Sequence, residues 1–512
     1  MSCRLEVSGV ANGAWRWVLV VSLILTSGGC AVGPNYRTPS AATPSAYKET
    51  ANWMPAEPND QNLGGNWWTI FKDPELDKLE EQVDVSNQNL IAAEAQYQES
   101  RAAVRYNRAA YYPTVTAGLS GDRTRVSSHA PPPGSTLVGI TYSNIVMPVD
   151  VSYEADVWGR VRRTVESYRD QAQASAADLA TVNLSLHADL AIDYFQARSL
   201  DAEEQLLNST VKQYQDAFGL TESRYQGGLS SEVEVQQAKT QLDTTRALAI
   251  DIDVLRAQYE HAVAILIGKP PAEFSLPPLP LTAPPPAIPV SVPSELLERR
   301  PDIAAAERRV AAANAQIGVA KAAYYPIIGL SAGGGFESTS ITTLLTGPSG
   351  LWSLGGSALG TVFDVGRRRA LTDQARAAYD VQVAAYRESV LNGFQQVEDN
   401  LAALRILENE AKVQDEAVTA AQRSLDLSNT RYTGGVTSYL EVTIAQSAAL
   451  SDEVTAVSIL GRRMANTVLL IQALGGGWDR SSLPVRPECC GKLSSSTSMS
   501  NVSPGAPRSA LP

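Results

Sequence analysis

Ala109-Ala-Tyr-Tyr-Pro113 is written a second time as Ala322-Ala-Tyr-Tyr-Pro326, and this repetition decides how the rest of the chain reads. Three more words recur in the same order. Asp156-Val-Trp-Gly-Arg160 returns as Asp364-Val-Gly-Arg367, Arg224-Tyr-Gln-Gly-Gly228 as Arg431-Tyr-Thr-Gly-Gly435, and Leu266-Ile-Gly268 as Ala473-Leu-Gly475. Four matches about 207–213 residues apart mark one duplicated unit, not an array of short repeats. The copies occupy 75–276 and 294–478, joined by a Pro-rich, semi-rigid connector at 277–293. An extended segment, 30–74, precedes them. A tail, 479–512, follows and reads as disordered.

Each copy reads as helix, strand, strand, long helix, helix. The first helix, about 75–110, stops at Pro113. In the next strand Pro113, Val115, Ala117 and Leu119 share a face. The second strand alternates more clearly. Val149, Val151, Tyr153, Ala155 and Val157 lie on one side, Asp150, Ser152, Glu154 and Asp156 on the other. In copy two, Ile328, Leu330, Ala332 and Phe336 share a face, and the Gly-rich strand at about 351–364 shows no clear faces. Strands of about ten to twelve residues with this alternation fit a membrane barrel. A soluble sheet with one buried face gives the same pattern. Four strands cannot close a barrel, and open edges are not tolerated in lipid. Either the sheet is soluble or several chains pool their strands.

From Val161 to Arg224 the chain has no proline. Val161, Val165, Tyr168, Ala172, Ser175, Leu179, Val182 and Leu186 are spaced four and three apart, as are Val390, Phe394, Val397, Leu401 and Leu404 in copy two. About 65 helical residues span roughly 100 Å. Each long helix ends at a Gly-Gly turn and is followed by a second helix, about 229–267 or 437–474, giving an antiparallel hairpin with glycines at its tip. An ordinary coiled-coil protein has such helices but not strands between them.

The 512 residues carry a formal charge of −12, with three histidines and four cysteines. By length alone, about three domains of roughly 150 residues would be allowed. The acidity argues against a nucleic-acid partner. The His and Cys counts exclude a large metal array or a disulfide scaffold. Mean hydropathy is −0.13, and no uninterrupted apolar run of about 18 residues predicts a spanning helix. His129, His187 and His261 are scattered, and no catalytic, cofactor or metal constellation stands out, so the reading is not an enzyme. Residues 1–29 read as an export signal, with Arg4 and Arg16 before the apolar run Val18–Leu25 and small residues Ser27-Gly-Gly29 before Cys30. This ending resembles a bacterial lipoprotein cleavage site, which implies a lipid on Cys30. A cleaved soluble export signal is the alternative. Ala31 after the cysteine favours the outer membrane by the same resemblance. Loss of the signal removes Arg4, Arg16 and Glu6, two positive charges and one negative, and leaves −13. Cys489-Cys490 lie in the Ser/Pro-rich tail and imply no disulfide fold.

Taken together the chain resembles the TolC-like outer membrane efflux factors, lipoprotein branch (OprM/NodT-like). Cys30-Ala-Val-Gly-Pro-Asn-Tyr36 looks like that branch's mature start. Trp67-Trp68, Phe71, Asp73-Pro74, Leu76, Leu79, Asn89 and Leu90 match its first helix. Pro293-Ser294, Leu296-Leu297, Arg300-Pro-Asp-Ile303 and Glu307 open its second half, and Ala473-Leu-Gly-Gly-Gly-Trp478 closes it. The resemblance implies an α+β fold, with a helical barrel of long antiparallel hairpins. It also implies a homotrimer in which four strands per chain close a twelve-stranded β-barrel. The helices 75–110 and 229–267 would together match one long helix. The implied function is the exit duct of a tripartite pump of the resistance-nodulation-division (RND) type, lying in the outer membrane and reaching into the periplasm. Its partners would be a periplasmic membrane-fusion adaptor protein, an inner-membrane pump and outer membrane lipid. Arg224, Tyr225, Gly227, Gly228, Arg431, Tyr432, Gly434 and Gly435 would form tips facing the adaptor. Glu441 would sit at the constriction, where Thr437 and Ile444 depart from the family's charged pattern. Asp150, Glu154 and Asp156 would line an acidic lumen. Rival readings are a type I protein secretion duct and a lipid-tethered periplasmic coiled-coil scaffold.

Overall fold

The computed structural model describes residues 31–49, 65–129, 139–288 and 297–484. Cys30, the signal segment, Cys489 and Cys490 lie outside the described residues. The expected first helix is two. Helix α1 (Pro74–Ser86) starts at Asp73, whose carboxylate accepts from Glu75 N and Leu76 N, with Pro74 at the first helical position. It ends at Asn87, which is extended (φ −68°, ψ 122°) and whose side chain caps α2 (Gln88–Arg108) by accepting from Asn89 N and Leu90 N. A residue that hydrogen-bonds its own following amides offers the backbone an exit from the helix, and here it is taken.

The long helices α3 (Arg160–Gln226) and α6 (Arg367–Thr433) each contain 67 residues, about 100 Å at 1.5 Å per residue. Their hairpin partners α4 (Glu232–Leu266) and α7 (Tyr439–Ala473) each contain 35. Copy two opens with α5 (Pro301–Ala322). The short helices join head to tail beside the long ones. Asn87 Nδ2 donates to Leu266 O (2.8 Å) where α4 meets α2, and Arg300 Nη1 donates to Ala473 O (3.0 Å) where α7 meets α5. α3 packs against α4, α2, α5 and α7, and α6 against α7 and α5. Each chain thus presents four rods side by side: α4/α2, α3, α7/α5 and α6. Because α3 has neighbours on both flanks, its burial spreads beyond one seam. Val161, Val165, Ala172 and Leu186 are buried as the heptad reading expects, whereas Tyr168 is exposed. The α6 seam of Val390, Phe394, Val397, Leu401 and Leu404 is buried throughout. α7 is long and apolar enough to cross a membrane by composition, against the expectation that no helix is. It is a helix of this bundle, with 44% of its most apolar window buried inside the chain.

All strands are antiparallel, in the order β1(β2)–β3–β4–β5. β1 (Thr114–Ala117) and β2 (Ser120–Arg125) pair with the same strand, β3 (Thr141–Ala155), in one uninterrupted register, Ala117 opposite Val149 and Ser120 opposite Val146. They are one lane broken in the middle. The break faces Pro148. Gly118 N donates to Pro148 O (3.0 Å), but proline has no N–H to return the bond. With β4 (Ile327–Ser338) and β5 (Gly350–Leu359) the chain has four lanes, as expected, and the two outer lanes have a free edge.

Register settles the faces. Val115, Val151, Ala332 and Leu354 lie in one row, as do Ala117, Val149, Gly334 and Trp352. Opposed residues share a side, so one side of the sheet is apolar. The other carries Thr116, Asp150, Gly333 and Ser353. The faces of β5, illegible in the sequence, follow from its pairing with β4. On the apolar side Leu119, Trp352 and Leu354 are 71%, 79% and 76% exposed. The hydrophobic core lies instead among the helices. It gathers Trp67, Trp68, Leu76, Leu79 and Val83 from the amino-terminal part, Leu190, Tyr194 and Phe195 from α3, and Val397 and Leu401 from α6.

Candidate functional site

The hairpin tips are built by glycine. In the first, Gly228 adopts φ +73°, Gly228 N donates to Tyr225 O and Leu229 N to Arg224 O. The second repeats this with Gly435 (φ +69°), Gly435 N to Tyr432 O and Val436 N to Arg431 O. Both satisfy the last helical carbonyls through a left-handed residue that a side chain would strain. Gly227 and Gly434 cap the helices just before.

The tips touch across the duplication. The Arg224 guanidinium lies 4.8 Å above the Tyr432 ring and Nη1 donates to Thr433 O at 3.3 Å. Tyr432 packs edge-on against Tyr439 at 5.2 Å. Glu234 closes a capping box with Ser231 and also accepts from Tyr439 N (3.3 Å). Burial alone would raise its pKa, but bonds from Ser230, Ser231 and Tyr439 N and the charge of Arg224 hold it below its ordinary value. Glu441 stands at the equivalent place in copy two but turns to Arg431, 3.3 Å away. Arg224, Arg431, Tyr432 and Glu441 are therefore brought together, and Tyr225 remains exposed outside the cluster. Thr437 and Ile444 flank it without charge. Glu234 and Tyr439 were not singled out in the sequence. The Ser230-Ser-Glu-Val-Glu234 sequence, with a carboxylate three residues after the serine cap Ser231, carried the signal. Arg224 Nε and the Tyr432 hydroxyl are buried with no hydrogen-bond partner among the described residues.

At the other end, where sheet meets helices, the two repeated words interlock. Trp158 stacks on Tyr325 (4.7 Å, 23°) and its Nε1 donates to Pro326 O at 2.9 Å. Gly159 and Gly366, at φ +80° and +83°, start α3 and α6. The segment from Ala31 begins here: Val32 N donates to Trp158 O at 3.1 Å, and a Cβ on Gly159 would lie 2.8 Å from Ala31 Cα. From there it runs along the helices. Pro34 O accepts from Asn314, Tyr36 OH donates to buried Glu307, and Lys48 N and Glu49 N donate to Glu398.

The three carboxylates expected to line a lumen differ. Asp150 lies on the polar face of β3, opposite Thr116 and Gly333, and is exposed. Glu154 shares that face but accepts from Arg160 Nε at 2.8 Å. Asp156 is a correction: β3 ends at Ala155, and its carboxylate accepts from Val161 N (3.0 Å), Arg162 N (2.8 Å) and Arg162 Nε (3.2 Å). It is a helix-start residue, taken out of the alternation because four unpaired amides at a helix start attract a nearby carboxylate. Asp122 and Glu337 sit on the polar face as well, opposite Asn144 and Val146, and were not anticipated.

His187 is packed among the helices. It is buried on α3, with Nδ1 2.6 Å from buried Glu80 and Nε2 3.1 Å from Asp84. Trp68 is stacked over it at 4.4 Å.

The model of the family described as "Outer membrane efflux protein" matches residues 79–269 and 292–476. The chain belongs to that family. The match falls in two blocks. "Probable efflux pump outer membrane protein SepC" of Pseudomonas putida is 31% identical over 473 residues, covering 91% of this chain and 97% of that protein. "Cation efflux system protein CusC" of Escherichia coli is 29% identical, covering 90% and 98%. Among solved structures, the outer-membrane channel OprN matches with a TM-score of 0.83 and 30% identity, over 88% of this chain and all of that one. The family member described here is an outer membrane efflux channel, and the helical hairpins with their sheet are the family's fold.

Proposed function

We propose that this chain is the exit duct of a tripartite efflux pump, passing small compounds out of the cell as a homotrimer. The observation that carries it is the pair of sheet edges left free among the described residues, beside an apolar face exposed at Leu119, Trp352 and Leu354. Lipid offers no hydrogen bonds to a free edge, so the sheet is complete only when copies join it. Three copies of four lanes give twelve strands, an even antiparallel number, and three copies of four rods give twelve rods around one axis. On the apolar side, Ala155 to Ile145 of β3 spans about 11 residues, roughly 33 Å at 3.3 Å each. Tilted by about 45°, that is a band near 25 Å tall.

The rods reach about 100 Å from the sheet and end at the glycine tips, which suits Arg224, Tyr225, Gly227, Gly228, Arg431, Tyr432, Gly434 and Gly435 to meet a periplasmic adaptor, with an inner-membrane pump of the RND type behind it. The tips are held by one cation–ring contact and a few hydrogen bonds, and two buried polar atoms there stay unpaired. Such a contact is weak and is readily separated by a partner. Glu441 is the carboxylate read for the constriction, and it stands at the tip paired with Arg431. Its pairing with Arg431 within one chain replaces the charged pattern that Thr437 and Ile444 lack. Ala31 lies at the sheet–helix junction beside Gly159, which supports reading the preceding Cys30 as the lipid anchor. Relatives are named for toluene and for cation efflux, and small organic compounds are the cargo read for this chain.

The test is complementation. A strain lacking its outer-membrane efflux channel, supplied with this protein and its genomic-neighbour adaptor and pump, should regain resistance to efflux substrates. Restored export of a protein without drug resistance would instead establish the secretion duct. In planar bilayers Asp150, Asp122 and Glu337 on the polar face should make the pore cation-selective. Anion selectivity would count against the acidic lining.

A further inference from the structure

Charge is sorted by side across the sheet. The charged residues of the strands are Asp122, Arg123, Arg125, Asp150, Glu154 and Glu337, and register assigns each a side. Asp122 faces Asn144 and Glu337 faces Val146, so with Asp150 and Glu154 every strand acid lies on the polar side. Arg123 faces Ser143 and Arg125 faces Thr141. These positions continue the row of Ile145, Val149 and Val151, so both arginines project from the apolar side. Along the β1/β2 lane that side reads Val115, Ala117, Leu119, Gly121, Arg123, Arg125, an apolar run that ends in two cations. On β3 it changes at the same level from Ile145 to Ser143 and Thr141. Both arginines are exposed, and neither is in an ion pair among the described residues. Asp122, between them in sequence, points the other way.

Strand geometry gives their depth. β2 runs away from the helices, and Arg123 and Arg125 lie eight and ten residues beyond Val115. At about 3.3 Å per residue and a tilt of about 45°, they stand roughly 19 and 23 Å above Val115, at the outer rim of an apolar band about 25 Å tall. An arginine on a lipid-facing strand is costly at mid-depth and nearly free at the rim. What it meets at the rim is the headgroup layer, where the anions are phosphates. A guanidinium holds phosphate through parallel charge-assisted hydrogen bonds. Residues two apart on one strand face are about 7 Å apart, so both guanidinium groups can flank one headgroup. The hydroxyls of Ser143 and Thr141 stand beside them as further donors.

We propose that Arg123 and Arg125, with Ser143 and Thr141, bind the phosphate of an anionic lipid in the outer leaflet. This rests on the barrel reading above, in which the apolar side meets lipid, and adds a headgroup site to it. The surroundings select a lipid over a free anion. Directly below the arginines the same side presents Leu119, Ile145 and Met147, so a lipid whose phosphate meets the guanidinium groups lays its acyl chains on an apolar surface. A free phosphate gains nothing from that surface. The polar side, reached from water, offers acids alone among its charged residues and repels a soluble anion.

Native mass spectrometry of the detergent-extracted particle tests the site, because one spectrum counts both chains and bound lipids. The probes are diphosphoryl lipid A, phosphatidylcholine, which has no net charge, and inorganic phosphate. Arg123→Gln combined with Arg125→Gln should weaken lipid A binding about thirtyfold, at about fivefold for each basic residue lost from a membrane surface, and leave phosphatidylcholine binding unchanged. Lys78→Gln combined with Lys412→Gln removes the same charge from exposed positions on the helices and should change neither. Excess inorganic phosphate should not displace the lipid. Equal lipid A binding by the arginine variant and the wild type would overturn the site. An equal loss in the lysine variant would reduce it to a net-charge effect and overturn it too. Displacement by inorganic phosphate would overturn the lipid as its occupant. A native mass of one chain would instead overturn the trimer, and it is read from the same spectrum, so a variant that fails to assemble is recognised by its mass.

Discussion

Replacing Glu80 with glutamine should flatten the pH dependence of this protein's stability. Glu80 is fully buried beneath α3, one of its oxygens has no hydrogen-bond partner among the described residues, and the other lies 2.6 Å from His187 Nδ1. Burial pushes its carboxyl up to about 7 from an ordinary 4.5, against the bond and charge of His187, with Asp84 and Asp77 adding to the rise. For His187 burial works downward, but the bond and charge of Glu80 and the nearby Asp84 outweigh it and leave the imidazole raised. Both groups hold a proton more tightly folded than unfolded. The stability from Glu80 is complete below about 4.5 and is lost as pH rises through about 7. That from His187 is complete below its unfolded value and is lost as pH rises through its raised one. The two slopes add. For Glu80, the rise from 4.5 to about 7, at about 1.4 kcal/mol per pH unit, makes the folded state about 3 kcal/mol more stable at pH 4.5 than at pH 8. Guanidinium midpoints of the detergent-extracted particle at several pH values measure it. Glu80→Gln removes the carboxyl's proton and much of what raises His187, so the change in stability over that range should shrink by about 3 kcal/mol, leaving what other raised carboxyls such as Asp193 contribute. A variant that retains the full wild-type slope would show that the buried pair is not its source.

Three further outcomes follow from other parts of the molecule. Gly475→Ala should destabilise by several kcal/mol, because Gly475 is left-handed at φ +94° and a Cβ would lie 2.1 Å from Arg299 O at the α7–α5 joint; denaturant melts compare it with Gly65→Ala, which has open space. Arg224→Ala and Tyr432→Leu should show a coupling of about 0.5–1 kcal/mol in a double-mutant cycle, and both singles should raise single-channel conductance if the contact narrows the tip. Cys30→Ser should abolish palmitate labelling while the protein stays in the membrane fraction; release into the soluble fraction would favour a tethered scaffold over a barrel.

Much of this architecture could be read from side-chain spacing. The long helices declared themselves by the absence of proline and the regular return of Val and Leu, and the tips by paired glycines. What escaped was set by contacts between distant residues. Asn87 breaks the first helix because it also donates to Leu266, far along the chain. The faces of β5 are hidden by glycines until β4 fixes its register. Asp156 continues the strand alternation in sequence, yet the start of α3 claims its carboxylate. The tip illustrates the same division: Arg224, Tyr432 and the glycines stood out as a repeated word, whereas Tyr439 and Glu234 matter because the two hairpins meet, and that meeting leaves no local mark.

The head-to-tail joints have a mechanical consequence. A continuous α-helix transmits bending and torsion through its covalent backbone and its ladder of hydrogen bonds. Where α4 meets α2, and where α7 meets α5, the load passes instead through side chains such as Asn87 and Arg300. Two of the four rods in each chain therefore have a compliant point partway along, and the two unbroken 67-residue rods do not. Rotation of the tips need not spread strain into the sheet, since it can be absorbed at those points.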